Sequence, residues 1–101
     1  MQSIAPASLK EILDQSPDSI FLVDVREPGE HDRFHIGGIL VPLTELGEKY
    51  HLIPKDRSVV LYCKVGIRSM IAIQRLETKY GYGNLSNLAG GIDRWLAEFP
   101  E

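Results

Sequence analysis

The fold of this chain is decided by Val59-Val60-Leu61-Tyr62-Cys63-Lys64-Val65-Gly66-Ile67-Arg68-Ser69. Four bulky residues run into the only cysteine, a short basic loop containing glycine follows, and Met70, Ile73, Leu76 and Tyr80 then recur at helical spacing. A strand that is apolar at every position is covered on both faces, as strands of a parallel sheet are. Cys63 is therefore expected at the carboxyl end of a buried strand, in a turn that opens onto a helix.

Working outward, Ile20-Phe21-Leu22-Val23 is a second run of this kind. It ends in the charged stretch Asp24-Val25-Arg26-Glu27-Pro28-Gly29-Glu30, where Arg26 and Glu30 have the spacing of a helical ion pair. Ile39-Leu40-Val41 and Leu85-Ser86-Asn87-Leu88 supply two further short strands. Between the strands lie helical patterns. Ser8-Leu9-Lys10-Glu11 fits a capping box at the start of a helix carrying Leu9, Ile12 and Leu13. Leu43, Leu46 and Tyr50 share a face with Thr44 as the cap, and Gly81 fits the end of the helix that follows Cys63. Gly90-Gly91 opens a last helix with Ile92, Trp95, Leu96 and Phe99 on one side, where Trp95 is expected to pack in the core. Strands alternating with helices predict an α/β fold. In such sheets ligands bind beyond the carboxyl ends of the strands, which places Cys63 and the segment from Asp24 to Glu30 on the functional rim.

Composition narrows the function. With 101 residues, 44% hydrophobic and 25% charged, the chain is expected to be one globular domain spanning 1–101. A net charge of −3 with no basic run argues against nucleic acid. No apolar run is long enough to cross a bilayer, and the N-terminus has no signal-peptide pattern, so no membrane partner and a cytoplasmic location are expected. One cysteine forms no internal disulfide or multi-cysteine metal site, and His31, His35 and His51 lack metal-ligand spacing, so neither a metal nor a cofactor is expected.

A cysteine is a useful nucleophile only as thiolate, and an ordinary thiol with a pKa of about 8.5 supplies little of it at neutral pH. Three features of the sequence favour the anion: loop amides able to converge on the sulfur, the positive end of the helix that follows, and the charges of Lys64 and Arg68. Gly66 lets the loop curl without a blocking side chain. The same cradle suits a small anionic substrate. A lone cysteine after Val-Val-Leu-Tyr is more often a buried small hydrophobe, but the Lys, Gly and Arg that follow it reverse that balance. Residues alone do not choose between sulfur, phosphate and arsenate. Tyr62 is expected to point away from the nucleophile.

Cys63 to Ser69 resembles the active-site loop of rhodanese-like sulfurtransferases. Asp24-Val25-Arg26-Glu27 resembles that family's Asp-x-Arg signature, His35-Ile36-Gly37-Gly38 the segment before its next strand, and Leu88-Ala89-Gly90-Gly91-Ile92-Asp93-Arg94-Trp95 its terminal Gly-Gly-x-x-x-Trp signature. Phe34 stands where the family usually has a glycine before the histidine. The resemblance implies a three-layer rhodanese-like fold, with a central, mostly parallel sheet of about five strands and helices on both faces. It also implies ping-pong transfer of sulfane sulfur. Cys63 would take the outer sulfur of thiosulfate or another donor and hold it as a persulfide, with Lys64, Val65, Gly66, Ile67, Arg68 and Ser69 binding the anion and Asp24 and Arg26 supporting the loop. Phosphatases of this fold place arginine six positions after the cysteine, whereas Arg68 is five after Cys63, a loop length that favours sulfur. With no second thiol, the acceptor must be an external thiol or protein. The alternative is a sulfur-delivery or protein-interaction module of a larger cofactor-biosynthesis or thiolation protein. A third reading, an inactive binding module, is opposed by the intact Cys63 and Arg68.

Overall fold

A computed structural model describes residues Met1–Glu101. Its five strands are β1 (Gln2–Ile4), β2 (Phe21–Asp24), β3 (Ile39–Leu40), β4 (Val59–Tyr62) and β5 (Leu85–Leu88). The helices are α1 (Pro6–Gln15), α2 (Pro28–Arg33), α3 (Leu46–Lys49), α4 (Ile67–Tyr80) and α5 (Gly91–Glu98). All strands join one sheet in the order β1-β5-β4-β2-β3, and every pairing is parallel.

The continuous apolar runs divide by the two-residue alternation of a strand. Val23, Val59 and Leu61 face a core closed by Ala72, Ile73 and Leu76 of α4 and Leu46 of α3. Leu22, Val60 and Tyr62 face the opposite core, closed by Leu9 of α1 and by Ile92 and Trp95 of α5. From β2 the chain steps outward to β3, returns across β2 to β4, and then continues away to β5. The order therefore reverses between β2 and β4, and their carboxyl ends flank the crevice where ligands bind in open parallel sheets. Asp24 closes β2 and Cys63 follows β4.

Several local expectations are corrected. Helix α1 starts at Pro6, whose fixed φ and missing N–H suit the first helical position, and no side chain caps it; Ser8 lies inside the helix. A capping box does occur at α2, between Glu27 and Glu30. Residues 43–52 form α3 flanked by two single 3-10 turns, with no cap from Thr44. Met70 is exposed, because the buried side of α4 is set by Ser69, Ala72, Ile73 and Leu76. Strand β1 extends the sheet beyond the elements read from sequence. Trp95 is buried, and Tyr62 sits in the core opposite Cys63, its hydroxyl donating to Gly37 O over 2.8 Å.

Candidate active site

The loop from Cys63 to Gly66 joins β4 to α4, whose N-terminal cap is Gly66 at φ 100°. Only a residue without a Cβ adopts that angle readily. The turn folds the first amides of α4 back over the cysteine. Gly66 N–H donates to Cys63 Sγ over 3.1 Å and Ser69 N–H over 3.4 Å, in a site where Cys63 is 1% exposed. Ser69 Oγ lies 3.3 Å from Sγ. Two amides at the positive end of a 14-residue helix thus converge on one sulfur, an arrangement that stabilises negative charge there.

Asn87 on β5, which the sequence reading left unassigned, fixes the proton positions. Its Nδ2 donates to Gly66 O over 3.2 Å, so its Oδ1 faces Ser69 and accepts the Ser69 hydroxyl proton. A hydroxyl has one proton. While Ser69 donates to Asn87, the Cys63–Ser69 contact can be filled only by the thiol's own S–H. The signal for Asn87 was faint: one amide side chain in a strand whose other side chains are mainly apolar.

The two cations of the loop are not free. Arg68 Nη1 and Nη2 donate to Glu30 Oε1 and Oε2 over 2.7 and 2.9 Å, a two-point pair that is partly buried. Lys64 Nζ donates to both oxygens of Asp93 over 3.0 and 2.9 Å, in a pair exposed to solvent. The guanidinium holds the Glu30 carboxyl well below its usual range, at about 2, against a smaller opposing effect of burial. Glu30 in turn raises the pKa of Arg68. The expected Arg26–Glu30 pair does not form, since Arg26 precedes α2 and turns back onto Asp24.

Asp24 and Arg26 are both buried. Asp24 accepts from Arg26 N, Nε and Nη2 and faces His31 Nδ1 at 2.9 Å, while Arg26 Nη2 also donates to Phe34 O over 2.6 Å. Burial alone would lower the Arg26 pKa; the hydrogen bonds and charge of Asp24 outweigh it and raise it. His31 stacks on His35 with ring centroids 3.9 Å apart. Neither Asp24 nor Arg26 hydrogen-bonds the cysteine loop. They brace the β2–α2 connection, which reaches the loop through Glu30 and through Val25 N–H donating to Tyr62 O over 3.0 Å. Val65 and Ile67 are exposed, at 49% and 61%, and only the amides of Gly66 and Ser69 donate to Cys63 Sγ. Beside the loop lies a cleft of about 230 Å³ walled by Glu30, Arg33, Phe34, Lys64, Ile92 and Leu96; Cys63 does not line it.

The start of α5 presses on the outer side of the loop. Ile92 N–H donates to Cys63 O over 2.9 Å and Asp93 N–H to Lys64 O over 3.0 Å. The Gly-Gly turn is thus in contact with the nucleophile's own peptide.

The fold is a parallel α/β sheet with a lone buried thiol held by helix-terminal amides at the topological switch point. The sequence profile of the Rhodanese-like domain matches residues 5–98, and the chain belongs to that family. It is 42% identical over 99 residues to a Mycobacterium tuberculosis protein named "Probable adenylyltransferase/sulfurtransferase MoeZ", covering 95% of this chain but 25% of that one. The chain therefore spans about a quarter of this relative. It is 38% identical to a sulfurtransferase of Allochromatium vinosum, over 94% of this chain and 88% of the relative. The crystal structure of a rhodanese-related protein from Thermoplasma volcanium superposes with a TM-score of 0.85 at 32% identity, covering 98% of this chain and 94% of that one. Sulfur transfer is the activity these sulfurtransferase relatives carry in their names. No helix of the chain is long and apolar enough to cross a membrane.

Proposed function

We propose that the chain is a single-domain sulfurtransferase in which Cys63 carries sulfane sulfur as a persulfide. The observation that supports this most directly is the convergence of Gly66 N–H and Ser69 N–H on Cys63 Sγ, at 3.1 and 3.4 Å. In the first half-reaction the Cys63 thiolate attacks the outer sulfur of thiosulfate, or of another sulfane donor. The new Cys63 S–S bond forms as the S–S bond of thiosulfate breaks, and sulfite leaves with the electron pair. The charge stays on the terminal sulfur of the persulfide, where loop amides stabilise it. In the second half-reaction an external thiolate, on a small molecule or a protein, attacks that terminal sulfur and restores the Cys63 thiolate. Splitting the transfer in two steps is covalent catalysis, and no cofactor is needed. Because Cys63 is the only cysteine, no internal disulfide discharges the persulfide.

Intact-mass spectrometry tests this reading. Incubation with thiosulfate is expected to add about 32 Da, one sulfur atom, to the wild-type protein and nothing to Cys63→Ser. A wild-type protein that gains no sulfur from thiosulfate, polysulfide or a protein persulfide donor overturns it.

The small coverage of the adenylyltransferase/sulfurtransferase relative favours one second reading: a sulfur-delivery module within a larger protein. An immunoblot of the native source for this chain, at 11.3 kDa or far above it, separates the two.

A further inference from the structure

We infer that Glu30 is a specificity-determining residue that sets the charge of the sulfur donor, disfavouring dianions such as thiosulfate relative to donors carrying a single negative charge. The inference rests on the sulfur-transfer reading of Cys63. A cradle for a dianion is expected to hold free cations, yet both cations of this loop are matched one to one by carboxylates: Lys64 by Asp93, and Arg68 by Glu30. The two pairs differ in persistence. Lys64 and Asp93 are 60% and 51% exposed, so water and salt loosen that pair. Arg68 and Glu30 are 33% and 27% exposed and joined at two points, the stronger geometry.

Glu30 is also held from behind. Glu27 N–H donates to Glu30 Oε1 over 3.1 Å in the capping box of α2, and Asp24–Arg26 anchors the turn before that helix. Glu30 thus arrives at Arg68 on a braced element, and it is ionised throughout the working pH range. A dianion approaching the anionic sulfur meets the negative charge of Glu30 within the same site, and Arg68 does no more than cancel it. A donor with one charge loses less. The step itself is unaltered: the same S–S bond breaks, and the leaving group departs with its electron pair.

The experiment compares two donors with the same reacting bond, thiosulfate (charge −2) and benzenethiosulfonate (charge −1), which release sulfite and benzenesulfinate. Persulfide formation is followed by stopped-flow and intact mass. Glu30→Gln keeps the shape and the acceptor for Glu27 N–H but removes the charge. It is expected to raise the thiosulfate-to-thiosulfonate ratio of kcat/KM about tenfold, equal to about 1.4 kcal/mol. In an Arg68→Gln background, where no guanidinium cancels the Glu30 charge, the rise is expected to be at least as large. A ratio unchanged in Glu30→Gln, while both donors still load Cys63, overturns the inference and leaves sulfur transfer standing. No loading of the wild-type protein by either donor overturns sulfur transfer itself. A second measurement needs no variant: in the wild type the same ratio is expected to rise with ionic strength, as repulsion of the dianion is screened. A falling ratio means that net attraction dominates and refutes the role given to Glu30.

Discussion

Gly90 and Gly91 are neighbours with similar backbones, at φ +75° and +62°, and their replacement by alanine is expected to have unequal effects. Left-handed backbone costs an alanine about 1–2 kcal/mol at either position. The surroundings differ. A Cβ on Gly90 comes within 2.6 Å of Arg94 Cβ, which α5 itself holds in place, and relieving that overlap costs about 1–3 kcal/mol but breaks no bond to the loop. A Cβ on Gly91 lies 2.5 Å from the carbonyl oxygens of both Cys63 and Lys64, and 2.6 Å from Lys64 C. Those are backbone atoms of the loop and cannot swing aside. Relief means moving α5 off the loop, stretching the Ile92 N–H to Cys63 O and Asp93 N–H to Lys64 O bonds, each worth about 1 kcal/mol. Overlap adds about 1–3 kcal/mol. The totals are about 2–5 kcal/mol for Gly90→Ala and about 4–7 for Gly91→Ala, the difference being the two bonds to the loop. At about 4–8 °C per kcal/mol for a domain of this size, that difference of about 2 kcal/mol separates the two by about 8–16 °C in thermal denaturation by circular dichroism. Persulfide loading below the transition is expected to fall sharply for Gly91→Ala and little for Gly90→Ala. Equal melting temperatures and equal loading would show that α5 does not hold the loop, and the reasoning would fail.

Asn87→Ala strips the loop of its side-chain brace and leaves Gly66 O and Ser69 Oγ buried short of a partner. A loss of about 2 kcal/mol in urea unfolding is expected, together with slower persulfide formation; a variant as stable as the wild type refutes it. Glu30 also predicts an acid profile. Its carboxyl titrates near 4.5 when unfolded and at about 2 when folded, so its contribution is complete above about pH 5 and is lost as pH falls toward 2. With the pair about a quarter to a third exposed, that contribution is about 1–2 kcal/mol. The stability difference between wild type and Glu30→Gln should therefore close between pH 5 and 2, and a constant gap contradicts the assignment. Tyr62→Phe removes the bond to Gly37 O without opening a cavity, and is expected to cost about 1 kcal/mol in the same denaturation assay; a loss above 3 would mean that Tyr62 has a further role.

The strands beside the site were legible because covered parallel strands carry an unbroken apolar signal, as Val59–Tyr62 and Phe21–Val23 do. The cysteine loop was legible because a glycine and a helix start follow it within a few residues. What was missed depends on distance along the chain. Strand β1 has three residues of mixed polarity, and only its pairing with β5, more than eighty residues away, makes it a strand. Glu30 lies four residues from Arg26, and local spacing favours that pair. The observed partner, Arg68, is 38 residues away and becomes adjacent only when β4 docks beside β2. Met70 carries the right period on the wrong side, because the turn at Gly66 fixes where α4 begins its rotation. Asn87 has no local pattern at all.

The arrangement around Cys63 explains why the last helix belongs to the site although none of its side chains reaches the sulfur. Peptide groups carry a donor and an acceptor in opposite directions, so a loop presents N–H groups inward only if its carbonyls are held outward. Here the carbonyls of Cys63, Lys64 and Gly66 each have a partner. Cys63 O and Lys64 O take the first amides of α5, and Gly66 O takes Asn87 Nδ2 together with Met70 N–H. The N-terminus of α5 is thus turned toward the loop's carbonyls, while the N-terminus of α4 is turned toward the sulfur. One helix start supplies the positive end that faces the anion. The other uses its unpaired amides to keep the loop from turning its oxygens inward. Glycine at position 91 is what lets α5 approach closely enough to do so, which ties the terminal Gly-Gly-x-x-x-Trp signature to the chemistry of Cys63 through backbone geometry.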